Sequence, residues 1–390
     1  MIIAKYYAES DLSIEKVAET IAAEQSTGTW TNISTMEDSA HALDGVVLKA
    51  EGNDIEIGFP DELFEPLNIP QYLSVVAGNL FGLGDIKNVR LQDVVFSEKI
   101  AKAHKGPKFG ILDVRKIIGV FDRPLVGTII KPKVGLNPVQ TAAVAKKAAQ
   151  GGLDLIKDDE TLTNQSFCPI LERIETVMDA LHSVEDENGT KTLYAVNVTT
   201  NAAQIVERAQ QVIERGANMV MVDVLTSGFD AVQTLRDNIN VPIHVHRTMH
   251  GAMTRNPRHG ISMLVISKLV RMAGGTNLHT GSYKGKMSLG GDENDACRDA
   301  LREPWFGHKP VFPVASGGLH PGNIAPNLEG YGMDCIVQAG GGVHGHPDGT
   351  VAGAIAMRQA VDAWVKGIEL GEYAKTHTEL GKALKLWHGV

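Results

Sequence analysis

From Pro124 onward, short apolar runs alternate with helix-like segments, and this alternation constrains the fold of the 390-residue chain most strongly. Several runs are apolar at consecutive positions, as strands covered on both faces must be. Helix-like segments such as AQIVERAQQVIERG and ISMLVISKLVRMAGG separate them and end in glycine, a common helix cap. Eight such βα units predict a TIM barrel over residues 121–390, closed by a helix that begins at Ala352. The eight strand candidates are LVGTIIKP, LDLIKDDE, LYAVNVT, ANMVMVDV, PIHVHR, NLHTGS, VFPVASGG and CIVQAGGG.

Residues 1–120 carry a different, mixed pattern. IEKVAETIAAE has the spacing of an amphipathic helix, whereas GVVLKAEG and DIEIGFP are typical of short strands. This mixture predicts a smaller α+β domain in front of the barrel. The fold class is therefore α/β, with two domains.

Composition excludes several classes of function. A net charge of −9 disfavours a nucleic-acid surface, which needs clustered Lys and Arg. The N-terminus lacks a signal-peptide pattern, and apolar runs stay below eighteen residues, so we expect a cytoplasmic protein without membrane contact. Cys168, Cys297 and Cys335 are far apart and odd in number, which predicts reduced core residues.

The run Lys157-Asp158-Asp159-Glu160 ends the second barrel strand. Strand alternation places Lys157 and Asp159 on one face and Asp158 on the other, and Glu160 can join the first two only if the strand has already ended. Alone, this cluster fits a structural ion pair as well as a site. Its place at the active rim of a barrel favours Mg²⁺, which prefers oxygen ligands, and carbamylation by CO₂ would turn the lysine into such a ligand.

Other strand ends carry groups suited to acid–base chemistry and anion binding. Lys131 and Lys133 share a face, where a neighbouring cation can depress an ammonium pKa and allow base catalysis, although a solvated lysine pair is the alternative. His246 and Arg247 suit proton transfer and phosphate binding, and their surroundings lack the ligand spacing of a zinc site.

Glycine-rich segments follow the last three barrel strands. ASGGLHPGN and QAGGGVHGHPDG predict a phosphate cradle rather than an ATP or NAD site, since neither matches a P-loop or GxGxxG pattern, although plain turns are the alternative. A mobile basic lid is predicted for the segment HTGSYKGKMSLGGDE, in which Lys284 and Lys286 lie between glycines. A basic loop without a functional role is the alternative.

Taken together and in this order, these segments resemble the large subunit of ribulose bisphosphate carboxylase (RuBisCO), archaeal type, over the barrel and into the N-terminal domain. The resemblance implies a carboxy-lyase that uses Mg²⁺ and an activating CO₂ carbamate on Lys157, with Asp159 and Glu160 as the other metal ligands. It implies Lys131 as the enolising base, His246 as a second proton-transfer residue and Lys286 as the lysine that steadies the new carboxylate. Substrate contacts are implied for Glu24, Thr29, Trp30, Asn79, Lys133, Arg247, His279, Ser316, Gly317, Gly318, Gln338, Gly340 and Gly341.

The same resemblance implies the reaction and the partners. Ribulose 1,5-bisphosphate and CO₂ would give two 3-phosphoglycerates, with O₂ as a competing substrate and a nucleotide-salvage route as the context. The motifs EQSTGTW and AGNLFG would reach the neighbouring subunit's site, so a homodimer or an assembly of dimers is expected, without a small subunit. Two alternatives stay open: a RuBisCO-like 2,3-diketo-5-methylthiopentyl-1-phosphate enolase, and a non-catalytic sugar-phosphate-binding barrel.

Overall fold

The computed structural model of the chain describes residues 1–28, 31, 33–286 and 291–387. Its strands are β1 (Ile2–Ser10), β2 (Val46–Glu51), β3 (Asp54–Phe59), β4 (Ile86–Val95), β5 (Leu125–Ile129), β6 (Leu155–Lys157), β7 (Leu193–Asn197), β8 (Met219–Asp223), β9 (Ile243–His246), β10 (Gly260–Ile261), β11 (Asn277–Gly281), β12 (Phe312–Ser316) and β13 (Ile336–Gln338). Its α-helices are α1 (Ile14–Glu24), α2 (Ile69–Ala77), α3 (Glu98–Ala103), α4 (Ile111–Ile118), α5 (Pro138–Gln150), α6 (Ile170–Asn188), α7 (Ile205–Glu214), α8 (Val224–Ser227), α9 (Phe229–Asn238), α10 (Gly251–Thr254), α11 (Met263–Ala273), α12 (Gly291–Arg302), α13 (Ile324–Tyr331), α14 (Gly341–His344), α15 (Gly349–Val365), α16 (Leu370–Ala374) and α17 (Thr378–Trp387).

The N-terminal domain is built on a five-stranded sheet in the order β10-β4-β1-β3-β2. Strands β1 to β4 pair antiparallel, and β10, which lies between the barrel strands β9 and β11 in the sequence, adds a short parallel edge to β4. Alternate residues of β1 are buried, as expected for a strand with one face on a core. The side chain of Ser13 accepts a hydrogen bond from Lys16 N and so caps the N-terminus of α1.

The chain from β5 onward forms a closed parallel barrel in the order β5-β6-β7-β8-β9-β11-β12-β13. All eight predicted strands are present, so the TIM-barrel prediction is confirmed. Helix α15, predicted from Ala352, begins at Gly349 and packs against α5. All five residues of β7 and of β8 are buried, because barrel core lies on one side of them and helices on the other.

Helix α4 packs across the amino end of the barrel. Its residues Ile111, Val114 and Ile118 form one apolar cluster with side chains that start the barrel strands, among them Leu125 and Phe312. This cluster fills the amino end with apolar side chains. The predicted domain division at residue 120 stays a prediction.

Two smaller expectations concern the cysteines and the membrane. Cys168, Cys297 and Cys335 are fully buried and free, which confirms their prediction as reduced core residues. Burial raises the pKa of the Cys297 and Cys335 thiols to about 12. Within the ranges that the structure describes, every helix is too short or too polar to cross a lipid bilayer.

Candidate active site at the carboxyl rim of the barrel

A cavity of about 450 Å³ lies at the carboxyl ends of the barrel strands. Strand ends and loops after β5, β6, β9, β11, β12 and β13 supply its walls. It brings together most of the predicted site residues, namely Lys131, Lys133, Lys157, Asp159, Glu160, His246, Arg247, His279, Lys286, Ser316, Gly317, Gly318, Gln338, Gly340 and Gly341.

Lys157 is the last residue of β6, and the chain leaves the strand before Glu160. The condition for Glu160 to join Lys157 is therefore met: Glu160 Oε2 lies 3.9 Å from Lys157 Nζ. The ammonium is fully buried and donates a 2.7 Å hydrogen bond to the carbonyl oxygen of Asp158. Burial lowers the pKa of Lys157, and the carboxylates of Glu160 and Asp159 oppose this shift.

Asp158 points away from the cavity, as strand alternation predicts. Its fully buried carboxylate accepts hydrogen bonds from Arg173 Nη2 at 3.1 Å, from the Tyr194 hydroxyl and from Asn197 N at 2.9 Å. Because these bonds tie the backbone after Lys157 to α6 and β7, they fix the point where β6 ends.

Asp159, after β6, forms an ion pair with Lys131, which follows the neighbouring strand β5. Lys131 Nζ lies 2.7 Å from Asp159 Oδ2, and the hydroxyl of Thr161 donates to Asp159 Oδ1 at 2.9 Å. Burial favours the neutral acid, yet the bond to Lys131 and its charge keep the pKa of Asp159 below the ordinary value. Lys131 therefore lies beside one of the two carboxylates expected to hold the metal.

His246 is held by a residue that the sequence interpretation missed. Its Nδ1 lies 3.1 Å from Asp223 Oδ1, and its Nε2 lies 3.8 Å from Glu160 Oε2. Burial lowers the pKa of His246, although the hydrogen bond to Asp223 acts to raise it. Asp223 ends β8 and Asn197 ends β7, where Asn197 Nδ2 donates to Glu160 O at 3.2 Å. A polar residue at the end of an apolar strand was the available signal for both.

The opposite wall is suited to anions. Arg247 is buried, and its Nη1 has no hydrogen-bond partner within the part of the chain that the structure describes. Burial lowers the pKa of Arg247 to about 10. Gly318 has φ +75°, and a Cβ there would stand 2.9 Å from Lys286 N. Lys286 N itself donates to Gly317 O at 2.8 Å, so glycine at this turn lets the lysine segment approach the cavity.

Some predicted residues lie elsewhere. Asn79 Nδ2 donates to Glu24 Oε1 at 2.9 Å, and neither residue lines the cavity of its own chain. Thr29, Trp30 and residues 287–290 of the predicted lid lie outside the described residues.

The side chains of the site suit the predicted Mg²⁺ when Lys157 is carbamylated. Among the residues that the structure describes, no three His, Cys, Asp or Glu side chains are grouped to hold a metal ion. Asp159 and Glu160 offer two carboxylates, and Lys157 lies beside Glu160. A carbamate on Lys157 would add a third anionic oxygen ligand, and three such ligands suit Mg²⁺.

Comparison with known proteins matches both domains. The family model of the ribulose bisphosphate carboxylase large chain, catalytic domain, matches residues 110–387, and the model of its N-terminal domain matches residues 1–100. The ribulose bisphosphate carboxylase of Methanosarcina mazei is 43% identical over 397 residues, which covers 96% of this chain and 93% of that relative.

Solved structures give the same result. Octameric RuBisCO from Pyrococcus horikoshii OT3 is similar with a TM-score of 0.94 at 40% identity, covering 99% of this chain and 93% of that one. Dimeric archaeal RuBisCO from Hyperthermus butylicus has a TM-score of 0.91 at 39% identity, with 100% and 96% covered. A RuBisCO-like protein from Burkholderia fungorum has a TM-score of 0.89 at 29% identity, with 99% of both chains covered. The chain belongs to the ribulose bisphosphate carboxylase large-chain family.

Proposed function

We propose that the protein is a ribulose-1,5-bisphosphate carboxylase/oxygenase activated by a carbamate on Lys157. The observation that carries the proposal is the buried Lys157 amine beside Glu160 in a cavity that also holds Asp159, Lys131 and Lys286. Burial favours the neutral amine, which is the form that attacks CO₂. The nitrogen bonds to the carbon of CO₂ and releases one proton, leaving a carbamate.

The carbamate of Lys157 and the carboxylates of Asp159 and Glu160 would hold Mg²⁺. When bound, the ion supplies Lewis-acid polarisation of the substrate carbonyl and its neighbouring hydroxyl. Lys131, beside Asp159, assists removal of the substrate proton and gives the enediolate. His246, whose ring is oriented by Asp223, is the second residue that moves a proton.

The remaining cavity residues bind and cover the substrate. The buried Arg247, whose Nη1 has no hydrogen-bond partner among the described residues, provides a cation for one phosphate. The ring of His279 lines the same cavity and would pack beside that phosphate. Backbone amides around Gly317, Gly318, Gly340 and Gly341, with Ser316, Gln338 and Lys133, contact the rest of the bisphosphate. Lys286 stabilises the carboxylate formed as CO₂ adds, and O₂ competes for the same carbanion.

We further propose a homodimer, alone or as a unit of larger assemblies, without a small subunit. Glu24 and Asn79 lie outside the cavity of their own chain, so in the dimer they, with Thr29 and Trp30, would complete the partner's site. The solved relatives support this, since one is described as dimeric and another as octameric.

The test incubates the protein with Mg²⁺, ¹⁴C-bicarbonate and ribulose 1,5-bisphosphate and measures acid-stable label. We expect label in 3-phosphoglycerate, and phosphoglycolate when O₂ replaces CO₂. Absence of label together with turnover of 2,3-diketo-5-methylthiopentyl 1-phosphate would show an enolase instead. The presence of Lys286 in the cavity favours the carboxylase, because enolisation alone needs no cation over a new carboxylate.

A further inference from the structure

A chain of hydrogen-bonded side chains links the neighbouring barrel strands β9, β11 and β12 and ends at the cavity. Asn277 Nδ2 lies 3.4 Å from His244 Nδ1, His244 Nε2 lies 2.8 Å from His279 Nε2, and His279 Nδ1 lies 2.7 Å from Ser316 Oγ. Asn277, His244 and His279 are at most 2% exposed, and the last two members, His279 and Ser316, line the cavity. We call these four residues the core relay. His244 and Asn277 have no role in the function proposed above.

The two imidazole rings must donate their hydrogen bonds in the same direction along the relay, which we call the polarity of the relay. Burial holds the pKa of both His244 and His279 well below the ordinary value, so each ring is neutral and carries one donor and one acceptor nitrogen. Two Nε2 atoms at 2.8 Å can bond only if one donates and the other accepts. The direction of the hydrogen bond between Asn277 and His244 therefore fixes the direction of the bond between His279 and Ser316.

The Asn277 amide sets that polarity. Its Nδ2 also lies 3.9 Å from Met219 Sδ, and a thioether sulfur can accept a hydrogen bond but cannot donate one. The amide nitrogen is thus the group that faces both Met219 and His244, while Asn277 Oδ1 has no hydrogen-bond partner among residues 1–28, 31, 33–286 and 291–387. Asn277 donates to His244 Nδ1, and His244 Nε2–H must then donate to His279 Nε2.

The last link reaches the substrate side. With Nε2 accepting, His279 carries its proton on Nδ1 and donates it to Ser316 Oγ. The serine oxygen is then used as an acceptor inside the protein, and its own hydrogen is free to point into the cavity. The opposite polarity would make Ser316 donate to His279 and turn a lone pair toward the cavity.

We propose that Asn277 and His244 are positioning residues that, through the tautomer of His279, make Ser316 a hydrogen-bond donor to an anionic oxygen of the bound substrate. This inference rests on the proposed function in one respect, namely that a sugar bisphosphate occupies the cavity. A donor suits a phosphate or enediolate oxygen, whereas a lone pair facing such an oxygen would be repelled.

The direct test is a neutron structure of the deuterated protein, which needs no activity. We expect deuterium on His244 Nε2 and on His279 Nδ1. Deuterium on His244 Nδ1 and His279 Nε2 would overturn the proposal, whatever reaction the protein catalyses.

The functional test uses Asn277→Asp at pH 8.5. An ionised carboxylate can only accept a hydrogen bond from His244 Nδ1, so this substitution should reverse the direction of the hydrogen bonds along the relay. Equilibrium dialysis of ribulose 1,5-bisphosphate against the metal-free protein should show about tenfold weaker binding, the loss of one hydrogen bond to a charged group. In a Ser316→Ala background the same change should alter binding less than about twofold, because the donor is already absent.

A matched control separates the relay from the added charge. Asn294 is also fully buried, and its Oδ1 likewise has no partner in the described ranges, but its Nδ2 donates to Ser282 O, outside the relay. Asn294→Asp should change binding by the same factor with and without Ser316. Equal effects of Asn277→Asp in both backgrounds, or unchanged affinity with Ser316 present, would overturn the inference. If the unaltered protein binds no bisphosphate, the proposed function fails, and the deuterium positions still decide the relay.

Discussion

Replacing Arg173 by methionine tests whether the buried ion pair behind Lys157 stabilises the folded chain. Arg173 and Asp158 are both fully buried, and Arg173 Nη2 lies 3.1 Å from Asp158 Oδ2. Methionine keeps much of the apolar stem but leaves the Asp158 charge without a counter-ion. The Tyr194 hydroxyl and Asn197 N would still donate to it.

An unpaired charge in a protein interior is expensive, so Arg173→Met should lower the free energy of unfolding by about 3–5 kcal/mol. Tyr194→Phe keeps the ion pair and removes one hydrogen bond to a charged acceptor, which should cost about 1.5–3 kcal/mol. Adding Asp158→Asn to Arg173→Met should recover part of the loss, because the neutral amide is cheaper to bury.

Urea unfolding at fixed protein concentration, followed by far-UV circular dichroism and checked for reversibility, measures these differences. The control is Arg215→Met, which breaks the ion pair with Glu175 between side chains that are 36% and 55% exposed and should cost less than about 1 kcal/mol. A cost of Arg173→Met no larger than that of Arg215→Met, or strict additivity with Asp158→Asn, would refute the reasoning.

Three further predictions concern activation by CO₂, the role proposed for Lys286, and the pH dependence of stability. Lys157→Ala should abolish activation by preincubation with CO₂ and Mg²⁺, measured as initial carboxylation rate; activation that persists would mean that the carbamate is misassigned. Lys286→Ala should keep proton exchange at the substrate carbon, seen by NMR in D₂O, yet lose carboxylation at least about tenfold, as expected for one lost electrostatic contact in a transition state; equal loss of both would contradict its role. Burial lowers the pKa of His104 to about 4 from 6.5, so the unfolded chain takes up a proton first and stability falls as pH drops from 6.5 toward 4. His104→Gln should flatten the pH dependence of the urea midpoint over that window, and an unchanged slope would count against this assignment.

Local sequence determined a large part of this protein. The number of barrel strands follows from eight apolar runs, since each run is long enough for one strand and each is separated by a helix-like segment. The place of the site follows as well, because residues after parallel strands meet at one rim. Even the orientation of Lys157, Asp158 and Asp159 follows from strand alternation.

The tertiary structure decided which of these side chains touch. The Asp223–His246 pair, the Asn277–His244–His279–Ser316 relay and the Glu24–Asn79 bond each join residues from different elements. Their separations depend on how the strands are staggered when the barrel closes and on how the N-terminal elements pack, and neither is encoded in the spacing of any one segment. Hydrogen bonds act over about 3 Å, less than the rise of one strand residue, so only the folded register could assign the partners.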